Sequence, residues 1–181
     1  MKIILIRHGM TEGNLKRRYI GTMDEDLINT DCLKGDYPKC ERVVASPLKR
    51  CIQTAEYIYP NVDIEICDKL KECDFGDFEN KSYEDLKDNP DYQKWIDSNG
   101  ELPFPNGETH EDFKNRCKEG FFESLTERDT AFVIHGGSIM AIMQKLFGGN
   151  FYDYQVKNGC GYEFEMRNGE IVDDYSPIGC G

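Results

Sequence analysis

Long apolar runs are missing from this sequence. No segment approaches the roughly 18 residues that a membrane-spanning helix needs. Only residues 1–6 precede Arg7, which is too short a stretch for a signal peptide. The chain is therefore expected to be a soluble, cytoplasmic protein with no membrane partner.

Positive charge is also scarce. The 22 Lys and Arg residues are outnumbered by 34 Asp and Glu residues, which gives a net charge of −12. An acidic surface repels nucleic acids, so no nucleic-acid partner is expected. A basic pocket for an anionic ligand must then be a local feature of the molecule.

The common cofactor motifs are absent too. The sequence has no C-x-x-C pair, no H-E-x-x-H motif, no G-x-x-x-x-G-K-[ST] loop and no G-x-G-x-x-G loop. His8, His110 and His135 are too widely spaced for a compact metal motif. We therefore expect neither a metal nor an organic cofactor. Since no export signal is seen, the eight cysteines are expected to be reduced and mostly small core residues.

What is present predicts one globular α/β domain. The chain has 181 residues, 39% of them hydrophobic, which is enough for a substantial core. Strand patterns occur at 2–6, 42–45, 62–66 and 131–134, and a hairpin at 162–166 and 170–174 around Asn168-Gly169. Helical patterns occur at 47–58, 82–99 with a break at Pro90, 109–125 and 137–147. Ser46 is predicted as the N-cap of the first helix. Alternating strands and helices favour a mostly parallel central sheet.

Polar residues that could take part in catalysis follow three of these strands. Arg7 and His8 follow the first strand, Ser46 and Arg50 follow the second, and His135 follows the strand at 131–134. Ligands of such sheets bind at the carboxyl ends of the strands. If these strands are parallel neighbours, two histidines and two arginines meet at one edge.

Such a cluster suits phosphoryl transfer. A guanidinium group binds phosphoryl oxygens in a paired, charge-assisted way, and a neutral imidazole can attack phosphorus. Each residue alone is also typical of a structural histidine or a surface arginine, so the hypothesis rests on their combination. His110, at a predicted helix start, is interpreted as structural or peripheral.

Five segments match a known set of motifs in the same order. They are R-H-G-M-T-E-G-N at 7–14, S-P-L-K-R-C-I-Q-T-A at 46–55, L-K-E-C-D-F-G-D-F-E at 70–79, P-N-G-E-T at 105–109 and I-H-G-G at 134–137. Together they resemble the signatures of the histidine phosphatase superfamily, also called the phosphoglycerate mutase-like family. Asn80 departs from that pattern, because the family often has Gly there, which puts the local loop conformation in question.

The resemblance implies a fold and a set of site residues. The fold would be a three-layer α/β/α, phosphoglycerate mutase-like domain over 1–181, with a lid-like insertion around 77–107. His8 would become phosphohistidine, and Glu72 would act as acid and then base, with a pKa raised by nearby acidic groups and partial burial. The remaining implied site residues hold the phosphoryl group or the substrate: Arg7, Arg50, His135, Asn14, Gly21, Thr22 and Gly136.

The resemblance also implies a reaction class. The short chain favours a phosphomonoester hydrolase over a mutase, acting on a small phosphorylated metabolite as a monomer or homodimer. The stretch 16–22 is loosely similar to α-ribazole phosphatases, so α-ribazole 5′-phosphate is the leading substrate. A sugar- or nucleotide-phosphate phosphatase, a phosphoglycerate mutase and a non-enzymatic phosphate-binding module are the alternatives.

Two further sets of residues can each be interpreted in two ways. Lys16, Arg17 and Arg18 either steer an anion to the site or form a solvated loop. The aromatic residues of the insertion either roof the substrate or form a small satellite core; they are Phe78, Tyr83, Tyr92, Trp95 and Phe104.

Overall fold

A twisted, mostly parallel sheet forms the centre of the computed structural model, which describes residues 1–179. Its strands are β1 (Lys2–Arg7), β2 (Arg42–Ala45), β3 (Ile64–Ile66), β4 (Thr130–Ile134), β5 (Gly161–Arg167), β6 (Glu170–Ile171) and β7 (Ser176–Ile178). Their order is β3-β2-β4-β1-β5-β6, and β7 pairs with β5. The first four strands in that order are parallel, and β5 runs antiparallel to β1.

Helices cover the sheet and join its strands. They are α1 (Glu12–Leu15), α2 (Lys49–Ile58), α3 (Tyr83–Leu86), α4 (Pro90–Asp97), α5 (His110–Glu123) and α6 (Gly136–Phe147). Short 3-10 turns lie at Asp31–Leu33, Asp68–Leu70, Gly76–Phe78 and Phe151–Tyr154. None of the helices in residues 1–179 is long and apolar enough to cross a membrane.

The sheet is buried on both faces, which explains the unbroken apolar run of β1. Ile3 and Leu5 pack on one face with residues of α5 and α6, whereas Ile4 and Ile6 pack on the other with residues of α2. A strand covered by helices on both sides has no solvent face to carry polar residues. The predicted α/β/α layering with a mostly parallel sheet is confirmed.

The register of the sheet brings the three predicted strand ends together. Arg7 pairs with Ile134 between β1 and β4, and Ala45 pairs with Val133 between β2 and β4. The residues that follow these strands therefore leave the sheet side by side. This confirms the predicted adjacency of the strands that are followed by His8, Ser46 and His135.

The predicted start of α2 was wrong. The helix begins at Lys49 with Leu48 as its N-cap, and Ser46 does not cap it. The hydroxyl of Ser46 instead lies 2.8 Å from Nε2 of His135. The Ser46 side chain therefore contacts His135, at the end of the neighbouring strand, instead of capping α2.

The insertion contains two short helices broken at Pro90, as predicted, and it packs on the main domain. Phe78, Tyr92 and Phe104 share a core cluster with Phe113 of α5 and Ala141 of α6. Aromatic side chains bury large areas, so this satellite core ties the insertion to the two helices beneath it.

Most of the described cysteines are small core residues. Cys51, Cys73 and Cys117 are buried free thiols, and Cys160 is buried as well. Three further free thiols are partly exposed: Cys32, Cys40 and Cys67. Cys180 lies outside the described residues.

Candidate active site

The predicted site residues gather at the carboxyl ends of β1 and β4. The rings of His8 and His135 have centroids 5.2 Å apart. A cavity of ≈ 930 Å³ opens there, and its wall includes five of the predicted residues: Arg7, His8, Asn14, Glu72 and Gly136. Arg50 and His135 are fully buried beside this end of the cavity.

The protonation of His8 follows from its contacts. Its Nδ1 lies 2.7 Å from the carbonyl oxygen of Gly9, which can only accept a hydrogen bond. Burial, followed by the positive charges of Arg50 and Arg7, holds the pKa of His8 well below its usual value. The ring is therefore neutral, with its proton on Nδ1 and a free lone pair on Nε2.

Arg7 and Arg50 are two cations held by carbonyl groups. Arg7 donates to the carbonyl of Val156 at 2.7 Å, and Arg50 donates to those of Met23 at 2.6 Å and Gly21 at 2.9 Å. The Nε atom of each is buried and has no hydrogen-bond partner within the described residues. Neither forms an ion pair with another residue in the described part of the chain. Buried charge without a counter-charge is costly, so this pair is suited to an anionic ligand.

The N-terminus of α6 adds to this positive environment. Gly136 begins the helix directly after His135, and unsatisfied N–H groups at a helix start favour anions. The N–H of Gly137 donates to Oε2 of Glu72 at 3.3 Å. A Cβ atom at Gly137 would lie 2.5 Å from Oε1 of Glu72, so glycine is needed for this close approach.

Glu72 forms part of the cavity wall. Its pKa is raised, as predicted. Of the two predicted causes, burial is confirmed and nearby acidic groups are not. Burial raises the pKa, whereas the N–H groups of Cys73 and Gly137 and the charges of Arg50 and Arg7 oppose the shift. No neighbouring acid contributes to it, because the charges around Glu72 are those of arginines.

His135 is held by its hydroxyl neighbour, Ser46. If the Ser46 hydroxyl donates to Nε2, the proton of a neutral His135 ring is on Nδ1. Burial and the charge of Arg50 hold the pKa of His135 well below its usual value. In that tautomer, Nδ1 carries the proton and lies 3.9 Å from Sγ of Cys51, which is a weak acceptor.

Asn158 is a site residue that the sequence analysis missed. Its Nδ2 lies 3.1 Å from the carbonyl oxygens of both His8 and Gly9, and 2.9 Å from Oδ1 of Asn14. The neighbouring N–H of Gly159 donates to the carbonyl of Arg7. Segment 156–160 therefore clamps the loop that carries His8, and no motif in the sequence marks it.

Gly21 and Thr22 are not brought into the main cavity. They line a second cleft of ≈ 640 Å³, which shares Glu72 with the first. The carbonyl of Gly21 still takes part in the site, because it accepts a hydrogen bond from Arg50.

The outer part of the cavity is partly basic and partly aromatic. Arg17 and Arg18 line it, whereas Lys16 forms an ion pair with Glu12. Trp95 and Phe104 line it as well, so the insertion forms a satellite core and also contributes to the cavity wall.

His110, interpreted from the sequence as structural or peripheral, lies in the cavity wall away from the paired histidines. It lines the cavity, where its ring meets Phe151 edge-on with centroids 4.7 Å apart. Burial lowers its pKa, which favours a neutral ring. Its predicted place at a helix start is confirmed, because His110 is the first residue of α5.

The departure at Asn80 has a structural explanation. Asn80 has a φ of 57°, in the left-handed region that glycine and asparagine adopt most readily. Its Oδ1 accepts a hydrogen bond from Arg18 at 3.0 Å. The loop therefore keeps a conformation that a glycine would allow.

Comparisons with known proteins give consistent results. The family model of the histidine phosphatase superfamily (branch 1) matches residues 3–173. The uncharacterized phosphatase PhoE of Bacillus subtilis is 32% identical, over 94% of this chain and 92% of that protein. The adenosylcobalamin/alpha-ribazole phosphatase of Salmonella typhimurium is 26% identical, over 93% of this chain and 92% of its own length.

A solved structure agrees with these relatives. The alpha-ribazole phosphatase from Shigella flexneri has a TM-score of 0.79 and 25% identity, covering 94% of this chain and 93% of that one. The paired histidines and arginines at the strand ends therefore lie in a fold and a sequence framework shared with phosphatases. The chain belongs to branch 1 of the histidine phosphatase superfamily.

Proposed function

We propose that the protein is a metal-independent phosphomonoesterase that works through a phosphohistidine at His8. The observation that carries this proposal is the pair of buried guanidinium groups, those of Arg7 and Arg50, beside a neutral imidazole. Each has a buried Nε without a partner among residues 1–179, and Nε2 of His8 is left free because Nδ1 contacts Gly9. A cationic pocket around a free nucleophile is what phosphoryl transfer requires.

The first step forms the phosphoenzyme. Nε2 of His8 attacks phosphorus, and the bond to the leaving oxygen breaks. Arg7, Arg50 and His135 stabilise the charge that spreads over the phosphoryl oxygens. Glu72, protonated because burial raises its pKa, gives its proton to the leaving oxygen.

The second step releases phosphate. Glu72, now a carboxylate, removes a proton from water as the water attacks the phosphorus of phosphohistidine. The N–P bond breaks, His8 recovers its lone pair, and Glu72 regains the proton. The enzyme therefore returns to its starting state without any other reactant.

We propose that the leaving group carries a ring, with α-ribazole 5′-phosphate as the best candidate. The cavity of ≈ 930 Å³ extends well beyond a phosphoryl group, and its outer wall includes Trp95, Phe104 and Phe151. Aromatic faces favour stacking with a flat ring. The similarity to alpha-ribazole phosphatases supports the same choice.

Six of the seven described cysteines are free thiols, which fits the expected cytoplasmic compartment, because exported proteins tend to pair their cysteines. The proposed partner is a small phosphorylated metabolite.

Two assays test this function. The purified protein should hydrolyse p-nitrophenyl phosphate in excess EDTA, and loss of activity on chelation would contradict the metal-independent mechanism. A phosphate-release screen should include α-ribazole 5′-phosphate, AMP, phosphoserine and 3-phosphoglycerate. We expect the ring-bearing esters to have the highest kcat/KM. Isomerisation of 3-phosphoglycerate without phosphate release would instead indicate a mutase.

A further inference from the structure

Arg50 is positioned by the loop at 20–23, and a second side chain contacts that loop from its other side. The guanidinium of Arg50 donates to the carbonyls of Gly21 at 2.9 Å and Met23 at 2.6 Å, with a longer contact to Ile20 at 3.4 Å. The side chain is fully buried. Its orientation therefore depends on where these carbonyl groups point.

The amide groups of the same two residues bind Glu79. Oε1 of Glu79 accepts from the N–H of Gly21 at 2.8 Å and from the N–H of Met23 at 3.0 Å. Hydrogen bonds to a carboxylate are stronger than those to a neutral acceptor. Gly21 and Met23 thus each donate to Glu79 and accept from Arg50, which makes a continuous chain of hydrogen bonds.

The loop has little freedom to move by itself. A Cβ atom at Gly21 would lie 1.9 Å from the carbonyl oxygen of Cys73, so the backbone is pressed against the residue next to Glu72. Backbone hydrogen bonds of Tyr19 with Asn80 and Lys81 also join its start to the insertion. Displacing Glu79 would shift the loop and, with it, Arg50.

We propose that Glu79 is a positioning residue for the phosphoryl-binding Arg50, acting through the backbone of Gly21 and Met23. This rests on the proposed function, because it assigns to Arg50 the binding of the transferred group. This role requires a side chain long enough to place an oxygen acceptor against the N–H groups of Gly21 and Met23. It does not require a negative charge in contact with the substrate.

Binding of orthovanadate, measured by calorimetry, tests the proposal without requiring turnover. Glu79→Ala should weaken vanadate binding about tenfold, because the acceptor of both loop N–H groups is lost. Glu79→Gln keeps an acceptor of the same length and should bind within about threefold of the wild type. Glu79→Asp keeps the charge but is shorter, so it should bind more weakly than Glu79→Gln.

Asp77→Ala is the matched control, because Asp77 lies on the same turn and contacts Asn106 instead of the loop. It should leave vanadate binding unchanged. A double-mutant cycle with Arg50→Ala completes the test. Once Arg50 is absent, Glu79→Ala should cause no further weakening.

Three outcomes would overturn the proposal: unchanged binding by folded Glu79→Ala, better binding by Glu79→Asp than by Glu79→Gln, or equal losses with and without Arg50. If Glu79→Ala does not fold, the order of the Gln and Asp variants decides. A protein that binds vanadate in this pattern but releases no phosphate would contradict the proposed function and leave the role of Glu79 intact.

Discussion

At the scale of single residues, burial prepares both reacting groups in their neutral forms. It lowers the pKa of His8 and raises the pKa of Glu72, because a low-dielectric environment disfavours charge of either sign. A neutral imidazole is the nucleophile and a neutral carboxyl is the acid. The same physical cause therefore serves two opposite requirements of the first step.

These shifts give the pH dependence a definite sign. Glu72 must be protonated, so kcat/KM should fall as pH rises through its pKa, which lies above the usual value of 4.5. His8 must be neutral, so kcat/KM should fall on the acidic side only below its pKa, well under the usual 6.5. A pH–rate profile of kcat/KM should therefore be bell-shaped, with its acidic limb well below the usual histidine pKa and its alkaline limb above the usual carboxyl pKa. An acidic limb centred near the usual histidine pKa would contradict this account.

Glu72→Gln separates the acid from the other charges. The variant cannot give or take a proton, so kcat for an alkyl phosphate should fall about 10²–10⁴-fold, and the alkaline limb should be lost. Any alkaline limb that persists belongs to the ionisation of the substrate. Unchanged kcat would mean that another group supplies the proton.

Glu72→Gln should also change the kinetics with p-nitrophenyl phosphate. Its leaving group needs little protonation, so phosphoenzyme formation should persist while hydrolysis of the phosphoenzyme slows. Stopped-flow absorbance should then show a burst of p-nitrophenolate, which the wild type lacks if its second step is fast.

At the scale of elements, the site depends on a segment that follows the 3-10 turn at Phe151–Tyr154. Asn158 holds the carbonyls of His8 and Gly9 together with the side chain of Asn14. Asn158→Ala should lower kcat/KM about tenfold and stability by about 1–2 kcal/mol, since several hydrogen bonds to buried groups are lost. Steady-state kinetics and thermal unfolding measure the two effects.

Tyr37→Phe is the control for the Asn158 variant. It removes the hydrogen bond from the Tyr37 hydroxyl to the carbonyl of Gly159 on the same segment. Stability should fall without a comparable loss of kcat/KM. Equal losses of activity in both variants would mean that general loosening of the segment, not the clamp on His8, is responsible.

The sequence predicted the elements better than their contacts. The apolar runs of β1 and β4 and the polar residues after them were enough to place His8 beside His135. Asn158 could not be found this way, because it lies 150 residues from His8 in the chain and no local pattern connects the two. Ser46 matches a local capping pattern, but the bond to His135 overrides it.

At the scale of the whole molecule, a strongly acidic protein must admit an anion. The net charge of −12 repels a phosphate ester at long range. Arg17 and Arg18 line the cavity and offset this repulsion locally. Replacing both with Ala should raise KM about threefold to tenfold and leave kcat nearly unchanged.

Salt and a neighbouring lysine provide the controls. Added salt should narrow the difference between the Arg17/Arg18 double variant and the wild type, because screening weakens steering. Lys16→Ala should have little effect, since Lys16 is paired with Glu12 and does not line the cavity. An equal rise in KM for Lys16→Ala would point to net charge instead of a local basic mouth.

The phosphohistidine itself is the most direct test of the account. Glu72→Gln, incubated with p-nitrophenyl phosphate and kept at alkaline pH to preserve the N–P bond, should be digested and analysed by mass spectrometry. We predict one phosphoryl group on the peptide that contains His8, and none after His8→Ala in a folded protein. A phosphoryl group on another residue, or turnover that survives His8→Ala, would contradict it.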